Sequence, residues 1–153
     1  MRAPTHVAIS ALIIYTARHA GLEVGTPVDY AAAAFGALLP DLDHPGSWIG
    51  RRFKLIAWPI TLIFGHRGIT HSLLAAGAVS ILLLSQVAAA WVIPIGLGYL
   101  SHLLGDYLTP LGIPLLYPSR KAFHFPTPIR TGGPGELIVL LGTSAFLALQ
   151  LFS

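Results

Sequence analysis

The chain has 153 residues and a mass of 16.3 kDa, a length that suits one domain, 1–153. Hydrophobic residues make up 54% and charged residues only 10%, against about 25% charged in ordinary soluble domains. With a mean hydropathy of +0.72, this excludes a disordered chain, a basic nucleic-acid-binding domain and most soluble enzymes, so no nucleic-acid partner is expected. The composition predicts an all-α, polytopic membrane helix bundle, with a very apolar soluble bundle as the rival. The absence of cysteine excludes a disulfide framework, a thiolate nucleophile and a thiolate-bound metal.

In chain order, residues 5–20 predict a short helix with Thr5 as N-cap. Residues 28–39 (VDYAAAAFGALL) predict a short Ala-rich helix inside the bundle, where small side chains allow close approach. The apolar stretch 55–64 is too short to cross a bilayer and contains Pro59, which suits a re-entrant or interfacial segment. Residues 68–105 contain no Asp, Glu, Lys or Arg. That is too long for a single crossing of about 20 residues, so it is divided into spans at 72–89 and 91–107. Prolines at 110, 114, 118, 126, 128 and 134 make 107–135 a stiff, irregular loop. Residues 137–153 form a last charge-free run. The total is about four to five transmembrane helices.

Threading these elements puts Arg2, Arg51, Arg52, Lys54, Arg67, Arg120, Lys121 and Arg130 on the side where the chain begins, and only Arg18 on the other. By the positive-inside rule the first side is cytoplasmic, which also makes the Pro-rich loop cytoplasmic.

Four polar clusters fall on that same side: Pro4-Thr5-His6, Pro40 to Pro45 with Asp41, Asp43 and His44, His66 to Ser72 with Arg67 and His71, and His102 to Asp106. His102 and Asp106 are four apart and share a helix face. An imidazole and a carboxylate so placed can clamp a divalent cation, and both are costly inside a membrane unless they face the bundle interior. Asp41 and Asp43 lie between two prolines that end the helix. His66 and His71 are five apart and converge only if the turn around Gly68 bends them together. Arg67 between them can meet a phosphate or carboxylate, or anchor the interface. For each cluster taken alone, a hydrogen-bonded turn or helix contact is the competing reading.

Together they gather nitrogen and oxygen donors without sulfur, which suits Zn, with Mn or Fe as alternatives. His6, Asp41, Asp43, His44, His66, His71, His102 and Asp106 exceed the needs of one tetrahedral ion, so two or more ions are expected.

The runs THVAIS, GALLPDLDH, HRGITHSLL and GYLSHLLGDYLTPLGIPLLYP resemble, in order, the signature blocks of the YdjM-like family of membrane-bound, metal-dependent hydrolases, some of whose bacterial members are described as LexA-regulated. The resemblance implies a small inner-membrane protein with His6, Asp41, Asp43, His66, His71, His102 and Asp106 at the matching polar positions. His44 lies within the same match. The pattern is also distantly similar to the helical zinc phospholipase C and nuclease group, although this chain lacks that group's N-terminal Trp. That similarity favours phosphoester chemistry.

The expectation is therefore a hydrolase that uses metal-activated water on a lipid or lipid-linked phosphate at the cytoplasmic face. Asp41 or Asp43 would act as base, and Arg67, Arg120, Lys121 and Arg130 would hold the substrate anion. The alternatives are a metal-ion or proton transporter, for which His and Asp within helices are also a mark, and a non-catalytic membrane protein with a His/Asp network. A homodimer through Gly and Ala faces is a further possibility.

Overall fold

A computed structural model describes residues 1–65, 67–86, 89–119 and 121–151. The expectations placed on His66 and Arg120 lie outside these residues. Among the described residues the chain is all-α: α1 (Ala3–His19), α2 (Pro27–Gly36), α3 (Lys54–Phe64), α4 (Leu73–Leu84), α5 (Ala89–Tyr107) and α6 (Pro134–Leu151). Short 3-10 turns occupy Pro40–Asp43 and Ile69–His71.

Helix α5 is the centre of the bundle, packed against α1, α2 and α4, while α6 lies on α1. The α2–α5 contact is built on missing side chains. A Cβ on Gly98 would stand 2.0 Å from the Ala33 carbonyl oxygen, and one on Gly36 would stand 2.1 Å from that of Ile95. Both obstacles are backbone, so only glycine lets the two helices approach this closely. Gly105, one turn past Ser101, leaves the space in which the His6 ring of α1 sits.

Local chemistry sets the helix starts. Thr26 and Asp29 form a reciprocal capping box at α2, and Ser72 accepts from the Ala75 amide at α4. Thr5 does not cap α1 as expected. The helix starts two residues earlier, with Pro4 in its first turn, where a missing N–H costs nothing. Thr5 is buried and donates instead to Glu136 Oε1 at 2.9 Å. The Pro-rich segment is irregular but pinned: Ile113 and Phe123 exchange backbone hydrogen bonds, and the Phe125 and Ile129 amides donate to the carbonyls of Tyr107 and Leu108.

Among the described residues no helix is long and apolar enough to cross a membrane. The expected span at 72–89 closes as a helix of 12 residues, α4, about 18 Å long. In α5, His102 and Asp106 dilute an otherwise apolar run.

Glu136 ties α6 to the start of α1. Its carboxylate accepts from the amides of Arg2 (2.5 Å) and Gly132 (2.5 Å) and from the Thr5 hydroxyl. Burial pushes this carboxyl up, but those three donors outweigh it and hold it below the ordinary range. A depressed folded value means stability that is present above the unfolded pKa and is lost as pH falls through the folded one. Glu136→Gln should therefore lower stability at pH 7 by about 2 kcal/mol, with the gap to wild type closing below about pH 4. Thermal unfolding in detergent at the two pH values measures it.

Candidate metal centre

The site lies where the ends of α1, α2 and α5 meet the two 3-10 turns. It brings together His6, Asp41, Asp43, His71, His102 and Asp106. His6, Asp43, His71, His102 and Asp106 are buried, and Asp41 is half-buried.

His102 projects from α5 one turn after Gly98. The close α2–α5 approach brings its Nδ1 to 2.7 Å from the carbonyl oxygen of Ala37, at the end of α2. Helix ends leave such carbonyls without an intrahelical donor, so Nδ1 carries the proton and Nε2 is left as a lone pair.

His71 is set the same way by a different partner. Its Nδ1 is 3.2 Å from Asp43 Oδ2. Arg67 adopts a left-handed backbone, φ 56°, and this turn brings the Arg67 amide (3.0 Å) and the Thr70 hydroxyl onto the same Asp43 oxygen. Asp43 therefore stands behind His71, fixing its ring with a carboxylate as metal-binding histidines commonly require.

The two Nε2 atoms face each other at 3.2 Å. With each Nδ1 turned to an oxygen acceptor, the two Nε2 atoms can share a proton or face a cation between them. Asp106 Oδ2 lies 3.6 Å from His71 Nε2 and 3.8 Å from His102 Nε2. Asp41 Oδ1 lies 4.0 Å and 3.8 Å from the same two atoms. Donors around a tetrahedral zinc with bonds of about 2.0–2.1 Å stand about 3.3–3.4 Å apart, so the group of His71, His102 and Asp41 would need to contract only slightly to hold an ion. Burial pushes the Asp41 carboxyl up against the pull of His6 and His71, a cost that a bound cation offsets.

A second group comprises His6, His102 and Asp106. His102 has one free nitrogen, which the first group uses, so the second position rests on His6 Nε2 and Asp106 Oδ1, 3.4 Å apart. Neither His6 nitrogen has a hydrogen-bond partner among the described residues, although the ring is fully buried and stacked on His102 at 3.8 Å. Nε2 thus has only the Asp106 oxygen beside it and Nδ1 no acceptor or donor, a costly state for a buried imidazole that a cation would relieve. His6, His102 and Asp106 are the residues that would hold an ion there.

Arg67 is engaged within the site. Its Nη2 pairs with Asp106 Oδ2 at 2.7 Å, and its Nη1 donates to Thr109 Oγ1 and the Gly112 carbonyl. The Met1 amino group also pairs with Asp106 Oδ1. His44 is exposed and belongs to neither donor group. Lys121 is exposed over the Phe123 ring, and Arg130 is exposed.

A cavity of about 530 Å³ opens over Asp41 and Asp106. Its walls include Arg67, His44 and Trp48, together with Arg2 and Arg51. Lys121 and Arg130 do not line it. Sequence reasoning read Arg2 and Arg51 only as positive-inside anchors. The available signal for Arg51 was its place seven residues after His44 in the same loop.

These features define the class: an all-helical bundle with a buried His/Asp centre suited to a divalent cation, under a cavity rich in arginine. The family model for the YdjM inner membrane protein matches residues 1–152, and the chain belongs to that family. It is 50% identical over 101 residues to the inner membrane protein YdjM of Escherichia coli (strain K12), and equally to that of Shigella flexneri, covering 62% of this chain and 52% of theirs. The chain thus spans about half the length of these curated relatives. It is 38% identical over 118 residues to the uncharacterized protein YvsG of Bacillus subtilis (strain 168), covering 73% of this chain and 71% of that one. No solved structure matches the chain.

Proposed function

We propose that the protein is a divalent-metal-dependent phosphoester hydrolase of the inner membrane, with its site toward the cytoplasm. The reading is carried by three donor atoms from His71, His102 and Asp41, 3.2 to 4.0 Å apart, with both imidazoles turned by second partners and Asp106 beside them. Zinc suits this donor set best, with Mn or Fe as alternatives.

A cation held there supplies Lewis acidity, which lowers the pKa of water and neutralises charge on a phosphoryl oxygen. The protein's own groups do the rest. Ala37 and Asp43 hold the two imidazoles in the tautomer that offers Nε2. Arg67 keeps Asp106 in place and adds a fixed positive charge at the cavity wall. Asp41, which meets the cavity, would help the two imidazoles hold the cation.

Membrane embedding is supported by the family and by the surface. Helix α3 buries only Ala57 and exposes Leu55, Trp58, Leu62 and Ile63. On α4 and α6, Ile81, Leu82, Ile138, Leu141 and Leu149 are likewise exposed. Apolar surface of this extent calls for lipid or a partner. Helices shorter than the hydrocarbon layer are accommodated by local thinning of the bilayer. In this arrangement α3 lies at the interface and α6 enters the bilayer beyond Glu136.

The test is elemental mass spectrometry on protein purified without chelator, followed by a panel of lipid and nucleotide phosphoesters. At least one Zn, Mn or Fe per chain with metal-dependent turnover is the expected result. A protein that binds no such metal after reloading, or that binds it and cleaves nothing on the panel, overturns the reading.

A further inference from the structure

A second cavity, of about 580 Å³, adjoins the first and is lined mostly by apolar side chains and glycine. Ile63, Phe64, Leu111, Pro114, Tyr117 and Ala122 line it, between the end of α3 and the Pro-rich loop. Arg67 and Leu111 line both cavities, so the polar and apolar spaces meet at these two side chains. Each volume falls within the roughly 300–1,000 Å³ of small-molecule sites.

The charges on the polar side are unbalanced. Arg2, Arg51 and Arg67 face Asp41 and Asp106 across it, and the carboxylates are oriented to the cation position. With a divalent ion in place the cavity is strongly positive, which complements a phosphate of charge about −1.5 to −2. Arg51 is held with its Nε 3.3 Å from the Ser47 carbonyl. On the apolar side, Ile63, Phe64 and Leu111, which line the cleft, are all exposed. A water-soluble phosphate would leave that space unfilled. A hydrocarbon chain fills it while its head occupies the arginine-lined cavity.

We infer that the substrate is a long-chain amphiphile with a phosphate head, bound with the phosphate between Arg51, Arg2 and the metal centre and the chain in the cleft between the end of α3 and Leu111, Pro114, Tyr117 and Ala122. This rests on the hydrolase reading above but makes a separate claim, about how the ligand is held. Arg51 and Ala122 are its specificity-determining positions, one for the head and one for the chain.

The test uses alkylphosphonates, which carry the charged head on a carbon–phosphorus bond that a phosphoester hydrolase does not cleave. Dodecylphosphonate and butylphosphonate are titrated against the metal-loaded full chain in nanodiscs of neutral lipid, with tryptophan fluorescence as readout. Partition of the longer chain into the disc is common to all variants, so the ratio of the two affinities, compared between variants, isolates the cleft. Ala122→Phe should lower the long-to-short preference at least tenfold. Pro114→Phe, on the same cleft, serves if the first variant does not fold. Arg51→Ala should weaken both ligands at least fivefold. An unchanged preference in a folded cleft variant, or unchanged affinity in Arg51→Ala, overturns the inference. Binding that follows this pattern without phosphoester turnover sinks the hydrolase reading alone. Turnover with no dependence on the cleft sinks only the inference.

Discussion

His102→Ala protein should lose its bound cation almost entirely when purified without chelator. The side chain is fully buried, its Nδ1 is committed to Ala37, and its Nε2 is 3.2 to 3.8 Å from three other donors. No neighbouring side chain can replace it, because the nearest imidazole, His6, is stacked flat against it. Affinity should fall on the order of a thousandfold, beyond the 10–100-fold expected when only an orienting partner is lost. Asp43→Asn supplies that smaller step. It leaves every donor atom in place but weakens the acceptor that turns His71. Metal per chain across a range of free metal separates the two variants. Equal losses would mean that Asp43 is itself a ligand. No loss in His102→Ala would remove the centre described here.

Gly98→Leu should disrupt both the bundle and the site. The obstacle is the Ala33 carbonyl, 2.0 Å from even a Cβ, so α2 and α5 must separate. Overpacking of this kind costs about 1–3 kcal/mol, and the upper end applies because backbone cannot yield. The same separation pulls the Ala37 carbonyl away from His102 Nδ1, so metal binding should weaken although no donor was changed. Gly77→Leu on α4, where nothing lies within 4 Å of the added Cβ, is the control. Melting temperature and metal content should fall together in the first variant and stay near wild type in the second.

The clustering of His and Asp at one end of the bundle was largely legible because ionisable residues in an apolar chain carry unusual information. His6, Asp41, His71, His102 and Asp106 each interrupt or border a stretch too hydrophobic to tolerate them without a purpose. The division of labour between Asp41 and Asp43 was not legible. It depends on the Pro40–Asp43 segment being a 3-10 turn. At three residues per turn, positions two apart point about 240° apart, so one carboxylate reaches the donors and the other the rear of His71. Thr5 was misread because its hydroxyl is claimed by Glu136, 131 residues away, which no local pattern reveals. Helix lengths were overestimated at α4, where a charge-free run continues through Ser85 and Gln86 past the point at which the helix ends. Arg51 was hidden among basic neighbours whose charge alone explained their presence.

The Asp43 contacts have one further consequence. Thr61 donates to the Asp43 carbonyl and the Arg67 amide to its carboxylate, so the chain leaving Asp43 is fastened back onto it some two dozen residues later. Residues 44 to 65 form a closed excursion whose base is sewn shut, and Trp48, Arg51 and α3 all belong to it. Closure makes changes in its length inexpensive, since loop entropy grows only slowly with size. Insertions, deletions or whole exchanges within it can alter what the cavity admits while His71 and the turn that orients it stay in register. Affinity for the ion and choice of ligand can therefore diverge independently in related chains.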